Sequence, residues 1–184
     1  MSYIEEMLEF NKKFVENIEY VPDADVSKRP KKKMAIVACM DTRLVRLLPA
    51  ALNLKDGDAK IIKNAGAVVN YPFGDIMRSL FIAVYELGVE DIVVIGHYDC
   101  GVQGLEASQL IQKMKARNIE QEKFDTLAYY GIDVNKWLKG FDKVENSVLD
   151  TVNIIKNHPL MPADVRVHGF VMDPSNGRLD KVVS

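Results

Sequence analysis

The sequence predicts an α/β fold: a mainly parallel central sheet flanked by helices, with an N-terminal helical arm and a C-terminal β-hairpin. The prediction rests on three features. Short, continuous apolar runs are typical of strands that are buried on both faces. Segments with helical periodicity separate these runs, and such alternation favours a parallel sheet with right-handed crossovers. The chain ends in two strand-like runs joined by a turn sequence, which indicates a hairpin.

The N-terminal segment 2–20 places apolar side chains at helical spacing, and these are Ile4, Met7, Leu8, Phe14, Val15 and Ile18. We expect residues 1–33 to form a helical arm and linker, and residues 34–184 to form the main domain. The basic stretch 28–33 is interpreted as a solvated linker, because a strand follows it at once. The apolar stripe of the arm must be buried, either against the same domain or against a partner.

The next three segments begin the alternation of strand and helix. Residues 34–39, "MAIVAC", predict a strand that is buried on both faces. Residues 46–54 predict a helix with Pro49 in its first turn, where the missing N–H costs little. Residues 59–66 predict a second strand that ends in Asn-Ala-Gly.

A helix is expected over residues 74–88, with Asp75 as its N-cap and Gly88 just beyond its C-terminal end. It leads into a third strand at 91–96, "DIVVIG", which is again continuously apolar after its first residue. This strand runs directly into His97, so the strand's end carries a potential metal ligand.

The last part of the chain completes the fold. Residues 103–117 predict a helix, and residues 122–140 predict short helical pieces. Residues 143–157 predict a longer helix with apolar side chains facing inward, namely Val144, Val148, Leu149, Val152 and Ile155. Residues 165–173 and 178–183 predict the two strands of the closing hairpin, joined by a Pro-Ser-Asn-Gly turn.

Composition excludes several classes of protein. The formal net charge is −2, so nothing favours nucleic acid or an anionic membrane as a partner. No apolar run approaches the roughly 20 residues that span a bilayer, and the acidic start lacks the pattern of a signal peptide. We therefore expect a cytoplasmic protein. In that compartment thiols stay reduced, and two cysteines favour metal binding or catalysis over a disulfide.

Two strand ends bring together residues that bind zinc. The first strand ends at Cys39, and the third runs into His97 and then Cys100. If these strands are neighbours, the three side chains meet at the carboxyl edge of the sheet, where open α/β sheets carry their ligands. Two thiolates and an imidazole suit zinc, and a catalytic zinc keeps three protein ligands and one open position.

Other enzymes with comparable residues fit less well. An alcohol dehydrogenase needs a G-x-G-x-x-G motif after a strand, and none is present. A zinc deaminase needs H-x-E and P-C-x-x-C, and both are missing. A phosphatase that used Cys39 as its nucleophile would be expected to carry arginine six residues later, where Val45 stands.

Three motifs stand in the order and spacing of a known family: Cys39-x-Asp41-x-Arg43, Asn64-Ala65-Gly66 and His97-x-x-Cys100-Gly101. The sequence thus resembles the β-class carbonic anhydrases, in their short, single-domain type. The resemblance runs from about residue 34 to the end of the chain. Four positions depart from the family's usual pattern. Lys63 replaces an arginine, Tyr98 and Val102 stand where many short-type members carry threonine and methionine, and Val89 stands where threonine is commoner.

The resemblance implies that Cys39, His97 and Cys100 bind Zn²⁺ and that Asp41 and Arg43 form a catalytic pair beside it. The implied reaction is the reversible hydration of CO₂ to bicarbonate and a proton, by hydroxide that zinc generates from water. It further implies a homodimer or tetramer in which the N-terminal helix embraces a second subunit. In some members the aspartate instead takes the fourth zinc position, and both states remain open for Asp41.

Two further interpretations remain open. The substrate of the same fold could be COS or CS₂, since related enzymes hydrolyse those molecules. Alternatively, zinc could be structural, with Asp41 as a fourth ligand in a non-catalytic dimeric module.

Overall fold

The structure is a computed structural model that describes residues 2–17 and 26–183. Its strands are β1 (Met34–Cys39), β2 (Ala59–Asn64), β3 (Asp91–His97), β4 (Arg166–Met172) and β5 (Leu179–Val183). They form one sheet in the order β2-β1-β3-β4-β5, in which only β5 is antiparallel to its neighbour. The predicted α/β class, the mainly parallel sheet and the closing hairpin are confirmed.

The helices in the described ranges are α1 (Tyr3–Asn17), α2 (Leu44–Ala51), α3 (Asp75–Tyr85), α4 (Ala107–Lys115), α5 (Gln121–Tyr129), α6 (Val134–Leu138) and α7 (Val144–Lys156). A short 3₁₀ turn, Ala65–Ala67, follows β2 directly. The helix expected over 103–117 is present but shorter, and the short helical pieces expected over 122–140 are α5 and α6. The strand expected over 59–66 ends two residues earlier, where this turn begins.

The central strands β1 and β3 are buried on both faces, as their continuous apolar sequences predict. Successive side chains of a strand point to opposite faces of the sheet. Ala35 and Val37 accordingly join a core with α3 and α7, whereas Ile36 and Ala38 join a second core with α2. This double cover fixes the direction and register of the two strands that end at the site.

Helix α7 lies very close to the sheet because two strand positions are glycine. A Cβ atom on Gly96 would come within 2.7 Å of Val144 and 2.8 Å of Val148. A Cβ atom on Gly169 would come within 2.7 Å of Val148. Gly96 therefore serves packing rather than turn formation, and it brings α7 against the strand that carries His97.

The expectation for Pro49 was wrong. Helix α2 begins at Leu44, so that Pro49 is its sixth residue and lies inside the helix. The helix starts early because the chain turns as soon as β1 ends, with the Leu44 N–H donating to the Asp41 carbonyl at 3.1 Å. Leu44 and Leu48, one helical turn apart, are then both fully buried. There the proline removes one hydrogen bond of the helix, because it has no N–H to donate to the carbonyl of Val45.

Asp75 does not cap helix α3, contrary to expectation. The N-cap is Gly74, and Asp75 is the first helical residue. A turn in which the Gly74 N–H donates to the Tyr71 carbonyl at 3.1 Å brings the chain into the helix one residue early. The Asp75 carboxylate still lies in the first turn, where the helix dipole favours negative charge. Gly88 has a φ of 72°, which agrees with its expected position beyond the helix end.

The inward face of α7 differs from the expected one at a single position. Leu149 is 39% exposed, whereas the other four predicted inward residues are buried. Ser147 and Thr151 are buried instead. The reason is helical geometry, because position 149 lies about 100° around the helix from Val148 and so points away from the sheet.

The N-terminal arm forms a helix, as its periodicity predicts, and α1 has no buried residue. Ile4, Met7, Leu8 and Val15 are all at least half exposed, so the apolar stripe is not covered by the same chain. Ile18, the last residue of the predicted stripe, lies outside the described residues. Within the described ranges, no helix has the length and apolar character needed to cross a membrane.

Candidate metal centre

Two adjacent parallel strands deliver the three predicted metal ligands to one point. β1 ends at Cys39 and β3 ends at His97, while Cys100 follows after a tight turn in which Asp99 has a φ of 53°. One potential ligand atom from each of the three residues lies within 4.8 Å of the others. All three residues are buried, with exposed fractions of 4%, 1% and 6% for Cys39, His97 and Cys100. The sheet therefore brings together the cluster that the sequence predicts.

The imidazole of His97 is oriented by one nitrogen and leaves the other without a hydrogen bond. Nδ1–H donates to the carbonyl of Tyr98 at 2.8 Å, so Nε2 carries the free lone pair. Nε2 is buried and has no hydrogen-bond partner among the described residues. A buried polar atom without a hydrogen-bond partner is costly. A metal ion would satisfy this nitrogen together with the two cysteine sulfurs.

The two cysteines are reduced, with 3.9 Å between their sulfur atoms. The hydrogen bond from Cys100 lowers the pKa of Cys39 to about 4, against the opposing effect of burial, and the Gly66 N–H contributes at 3.3 Å from the sulfur. The same hydrogen bond and burial raise the pKa of Cys100. Zinc binding would require both sulfurs as thiolates, because a metal-bound cysteine is deprotonated.

Protonation of His97 is subject to opposing influences. Burial lowers the pKa of the imidazole, but the nearby Cys39 sulfur and the Tyr98 carbonyl raise it further than burial lowers it. The Cys39 sulfur therefore favours the positively charged form of His97 while no metal is bound.

Asp41 and Arg43 form an ion pair directly beside this cluster. The Arg43 side chain donates from Nε to Asp41 Oδ1 at 3.0 Å and from Nη2 to Oδ2 at 2.9 Å. The Arg43 backbone N–H also donates to Oδ1, at 2.8 Å. These hydrogen bonds lower the pKa of Asp41 to about 2 and raise that of Arg43. Asp41 Oδ2 lies 3.7 Å from His97 Nε2, so the carboxylate faces the space beside the ligand atoms.

Asp99 is a second partner of Arg43 that the sequence did not indicate. Arg43 Nη1 donates to Asp99 Oδ2 at 2.7 Å, and Nη2 donates to the Asp99 carbonyl at 2.8 Å. The Asp99 side chain is 85% exposed. The only signal in the sequence was a polar residue in the turn between two predicted metal ligands. That signal does not indicate that Asp99 pairs with Arg43, 56 positions away.

A cavity of about 720 Å³ lies next to this site, lined by residues of the 65–70 segment, residues around Phe141 and helix α7. None of the five predicted site residues lines it. Its apolar end includes Ala65, Val102 and Phe141, and a Cβ atom on Gly66 would touch the latter two. Because the Gly66 N–H contacts Cys39, this apolar wall adjoins the cluster.

The other two histidines lie elsewhere, and their contacts agree with the structural roles expected for them. His158 is buried edge-on against the rings of Phe73 and Phe81, and its Nδ1 accepts a hydrogen bond from the Leu160 N–H at 3.1 Å. His168 lies on β4, where its Nε2 is 3.1 Å from an Asp91 oxygen. Neither histidine belongs to the cluster of possible metal ligands found among the described residues.

The model of the carbonic anhydrase family matches residues 34–179. "Putative carbonic anhydrase YtiB" of Bacillus subtilis is 53% identical over 184 residues, covering 100% of this chain and 98% of that protein. The crystal structure of a β-carbonic anhydrase from Trichomonas vaginalis has a TM-score of 0.87 at 29% identity, covering 100% of this chain and 99% of that one.

A more distant relative carries a different activity in its name. "Carbon disulfide hydrolase" of Acidithiobacillus thiooxidans is 27% identical over 156 residues, which are 80% of this chain and 76% of that protein.

Proposed function

We propose, since this chain belongs to the β-class of the carbonic anhydrase family, that it catalyses the reversible hydration of CO₂ to bicarbonate and a proton. The proposal includes Zn²⁺ bound by Cys39, His97 and Cys100. The observation that carries it is the buried Nε2 of His97, which lacks a hydrogen-bond partner in a cluster where one ring nitrogen and two cysteine sulfurs lie within 4.8 Å of one another. We place the activity in the cytoplasm, where thiols remain reduced and able to bind metal.

The donor set fits zinc in kind and in number. Three protein ligands leave a fourth position for substrate chemistry, as catalytic zinc requires. Zinc, when bound, lowers the pKa of water from about 15.7 towards 7 and so supplies the nucleophile at neutral pH. The two thiolates cancel the charge of Zn²⁺, and outside them Arg43 is paired with two carboxylates, Asp41 and Asp99.

Asp41 is assigned to orient the nucleophile. Its Oδ2 lies 3.7 Å from His97 Nε2 and accepts one hydrogen bond, from Arg43 Nη2, so this oxygen retains acceptor capacity. The carboxylate can therefore accept the nucleophile's proton in a hydrogen bond, which leaves an oxygen lone pair directed at CO₂. With its pKa held near 2 by Arg43, Asp41 stays an acceptor throughout the neutral range.

Arg43 is assigned to hold Asp41 away from the metal. For Asp41 to become a fourth zinc ligand, it would have to give up hydrogen bonds from the Arg43 guanidinium. Arg43 in turn is anchored by the Asp99 side chain and carbonyl, so it does not follow Asp41 freely. These contacts favour the open arrangement, in which the fourth position serves the reaction.

CS₂ hydrolysis is the second candidate function. It is favoured by the carbon disulfide hydrolase relative, although the identity of 27% is about half that of the carbonic anhydrase homologue. Both substrates are linear and apolar, and both would be attacked at carbon by the same nucleophile. The apolar wall of Ala65, Val102 and Phe141 therefore suits either of them.

The arm, residues 1–33, is proposed as the contact of a homodimer or a larger assembly of the domain 34–184. The support is the stripe of α1, whose apolar side chains are exposed in the single chain. Deleting residues 1–17 should convert the dimer to a monomer in light-scattering measurements of molar mass. An unchanged molar mass would assign the contact to another surface.

Stopped-flow CO₂ hydration on protein of verified zinc content, measured across pH, tests the proposal. We expect activity that requires zinc and rises with pH as the nucleophile forms. COS and CS₂ are assayed in parallel on the same preparation. Zinc-loaded protein without CO₂ hydration at any pH would contradict the proposal, and turnover of CS₂ or COS in that sample would support the second candidate. Inactivity towards all three substrates would favour the non-catalytic zinc module.

A further inference from the structure

Tyr98 stands between two proposed metal ligands and is held at three points. Its backbone N–H donates to the carbonyl of Met172 on β4 at 3.0 Å. Its own carbonyl accepts the hydrogen bond from His97 Nδ1 at 2.8 Å. Its hydroxyl donates to Asp180 Oδ2 on β5 at 3.0 Å. The residue whose carbonyl orients His97 is thus itself anchored to both strands of the hairpin.

The contact with Asp180 requires a long side chain. Strand β4 lies between β3 and β5, and neighbouring strands are about 4.7–4.9 Å apart, so Tyr98 must reach across about 10 Å. Tyrosine spans this distance with a rigid ring that has only two side-chain rotations. The ring packs against the core shared by α3 and α7, and the same Asp180 Oδ2 also accepts a hydrogen bond from Arg178 Nη2 at 3.0 Å.

The backbone around Tyr98 needs such an anchor. Asp99, the next residue, has a φ of 53°, an uncommon conformation for a residue with a side chain. The peptide between Tyr98 and Asp99 contains the carbonyl that accepts the His97 hydrogen bond. A rotation of that peptide would turn the imidazole and move Nε2 relative to the sulfurs of Cys39 and Cys100.

We propose that Tyr98 is a positioning residue for His97, which acts through its carbonyl and is fixed by the hydrogen bond from its hydroxyl to Asp180. The inference rests on the proposed function in one respect, since it takes His97 as a zinc ligand. Hydrogen bonds to the second nitrogen of a metal-binding histidine fix its ring orientation, and their loss costs about 10- to 100-fold in metal affinity. In Tyr98→Phe the carbonyl remains but its anchor is lost, so the lower end of this range applies.

Zinc affinity, measured by competition with a chromophoric chelator, is the primary readout. Tyr98→Phe and Asp180→Ala should each weaken zinc binding by about tenfold. The double variant should bind zinc no more weakly than either single variant, because each single substitution already removes the same hydrogen bond. Asp180→Asn keeps an acceptor oxygen and should bind zinc nearly as tightly as the wild type. The visible spectrum of the Co²⁺-substituted protein should shift in Tyr98→Phe, since it reports the ligand geometry directly.

Ser175→Ala is the matched control in the same hairpin. It removes the contact of the Ser175 hydroxyl with Asp173 at 2.6 Å and touches neither Tyr98 nor Asp180. Thermal unfolding of the zinc-free variants measures their stability separately from metal affinity. We expect Ser175→Ala to leave zinc affinity and the Co²⁺ spectrum unchanged, even where it lowers the unfolding temperature.

Several results would overturn the inference. Unchanged zinc affinity in Tyr98→Phe would reduce Tyr98 to a structural residue, and additive losses in the double variant would mean that the two side chains act independently. An equal loss in Asp180→Asn and Asp180→Ala would assign the effect to charge instead of anchoring.

The failure of this inference is distinguishable from failure of the proposed function. Zinc binding and CO₂ hydration by the wild type, with unchanged affinity in Tyr98→Phe, would remove only the inference. Weakened zinc binding in Tyr98→Phe without CO₂ hydration by the wild type would remove only the function. A wild-type protein that binds no zinc would remove both.

Discussion

The two edges of the sheet carry the same three residue types and use them differently. The carboxyl edge has Asp41, Arg43 and His97, and the amino edge has Asp91, Arg166 and His168. Both sets pair a bidentate arginine with a carboxylate and place a histidine near it. By residue type alone, either set would be a candidate site.

At the amino edge the polar groups satisfy one another. Arg166 donates to both oxygens of Asp91, at 2.7 and 2.6 Å, and His168 Nε2 lies 3.1 Å from the same carboxylate. Arg166 is 57% exposed and His168 is 27% exposed, so water reaches the cluster. Such an arrangement ties β3 to β4 and leaves no group in need of a ligand.

At the carboxyl edge one group stays unsatisfied. His97 Nε2 is buried without a hydrogen bond and lies 3.7 Å from the nearest Asp41 oxygen, too far for a hydrogen bond. Two cysteine sulfurs complete the cluster. The carboxyl edge thus differs from the surface ion pair in its burial, its unpaired nitrogen and its two sulfurs. An unpaired nitrogen alone is not enough, because His158 Nε2 is also buried without a hydrogen bond and His158 is not part of a metal-binding cluster in the described residues.

Replacing the two histidines should separate the edges most sharply. His97→Gln is expected to lose zinc and to lower CO₂ hydration by at least about 10³-fold, because the metal supplies the nucleophile. His168→Gln, the matched variant, should keep full zinc content and activity. Metal analysis and stopped-flow assays of both proteins measure this contrast. A zinc-loaded, active His97→Gln protein would show that the metal binds elsewhere.

The two aspartates come next. Asp41→Ala should retain zinc and lose hydration activity by about 10²-fold or more, the usual contribution of a group that handles a proton in the transition state. Asp91→Asn should leave the rate unchanged. The assay compares kcat at equal zinc content across the two variants. Full activity in Asp41→Ala would remove this residue from the mechanism.

Acid stability should respond to Arg43. The pKa of Asp41 is about 2 in the folded protein, because of its hydrogen bonds with Arg43, and lies below its ordinary value near 4. The unfolded chain thus binds the proton more readily, so the pair stabilises the fold above about pH 4, and this stabilisation is lost as the pH falls towards 2. Urea unfolding of the zinc-free protein from pH 5 to 2 should show a shallower decline in Arg43→Gln. A slope equal to that of the wild type would mean that the ion pair contributes nothing to folding.

The smallest effect is expected at the amino edge. Arg166→Gln removes a well-aligned but exposed ion pair with Asp91, which is worth up to about 1 kcal/mol. Thermal unfolding should therefore shift by a few degrees at most, with zinc content and activity unchanged. A large loss of activity in this variant would erase the distinction between the two edges.

Much of the site was predictable because strand ends meet in a parallel sheet. Cys39 and His97 end two continuously apolar runs, and such runs become neighbouring buried strands whose carboxyl ends share an edge. That topology explains why Cys39 and His97 lie close to each other and to Cys100. The zinc and catalytic roles of its residues remain predictions.

Other features depended on geometry that the sequence does not specify. The Tyr98–Asp180 contact spans 82 residues and crosses an intervening strand, so no local pattern marks it. The errors at Pro49 and Asp75 have a common cause, since a turn before each helix made it begin earlier than its apolar period indicates.

Zinc-edge X-ray absorption of the purified, zinc-loaded protein tests whether Cys39, His97 and Cys100 bind the metal. We expect two sulfur neighbours at about 2.3 Å and one nitrogen at about 2.0–2.1 Å, with a light atom in the remaining position. In Cys100→Ser we expect the loss of one sulfur neighbour, or of zinc altogether. A shell of nitrogen and oxygen atoms without sulfur would contradict binding by the two cysteines, because it would place the metal away from the carboxyl edge.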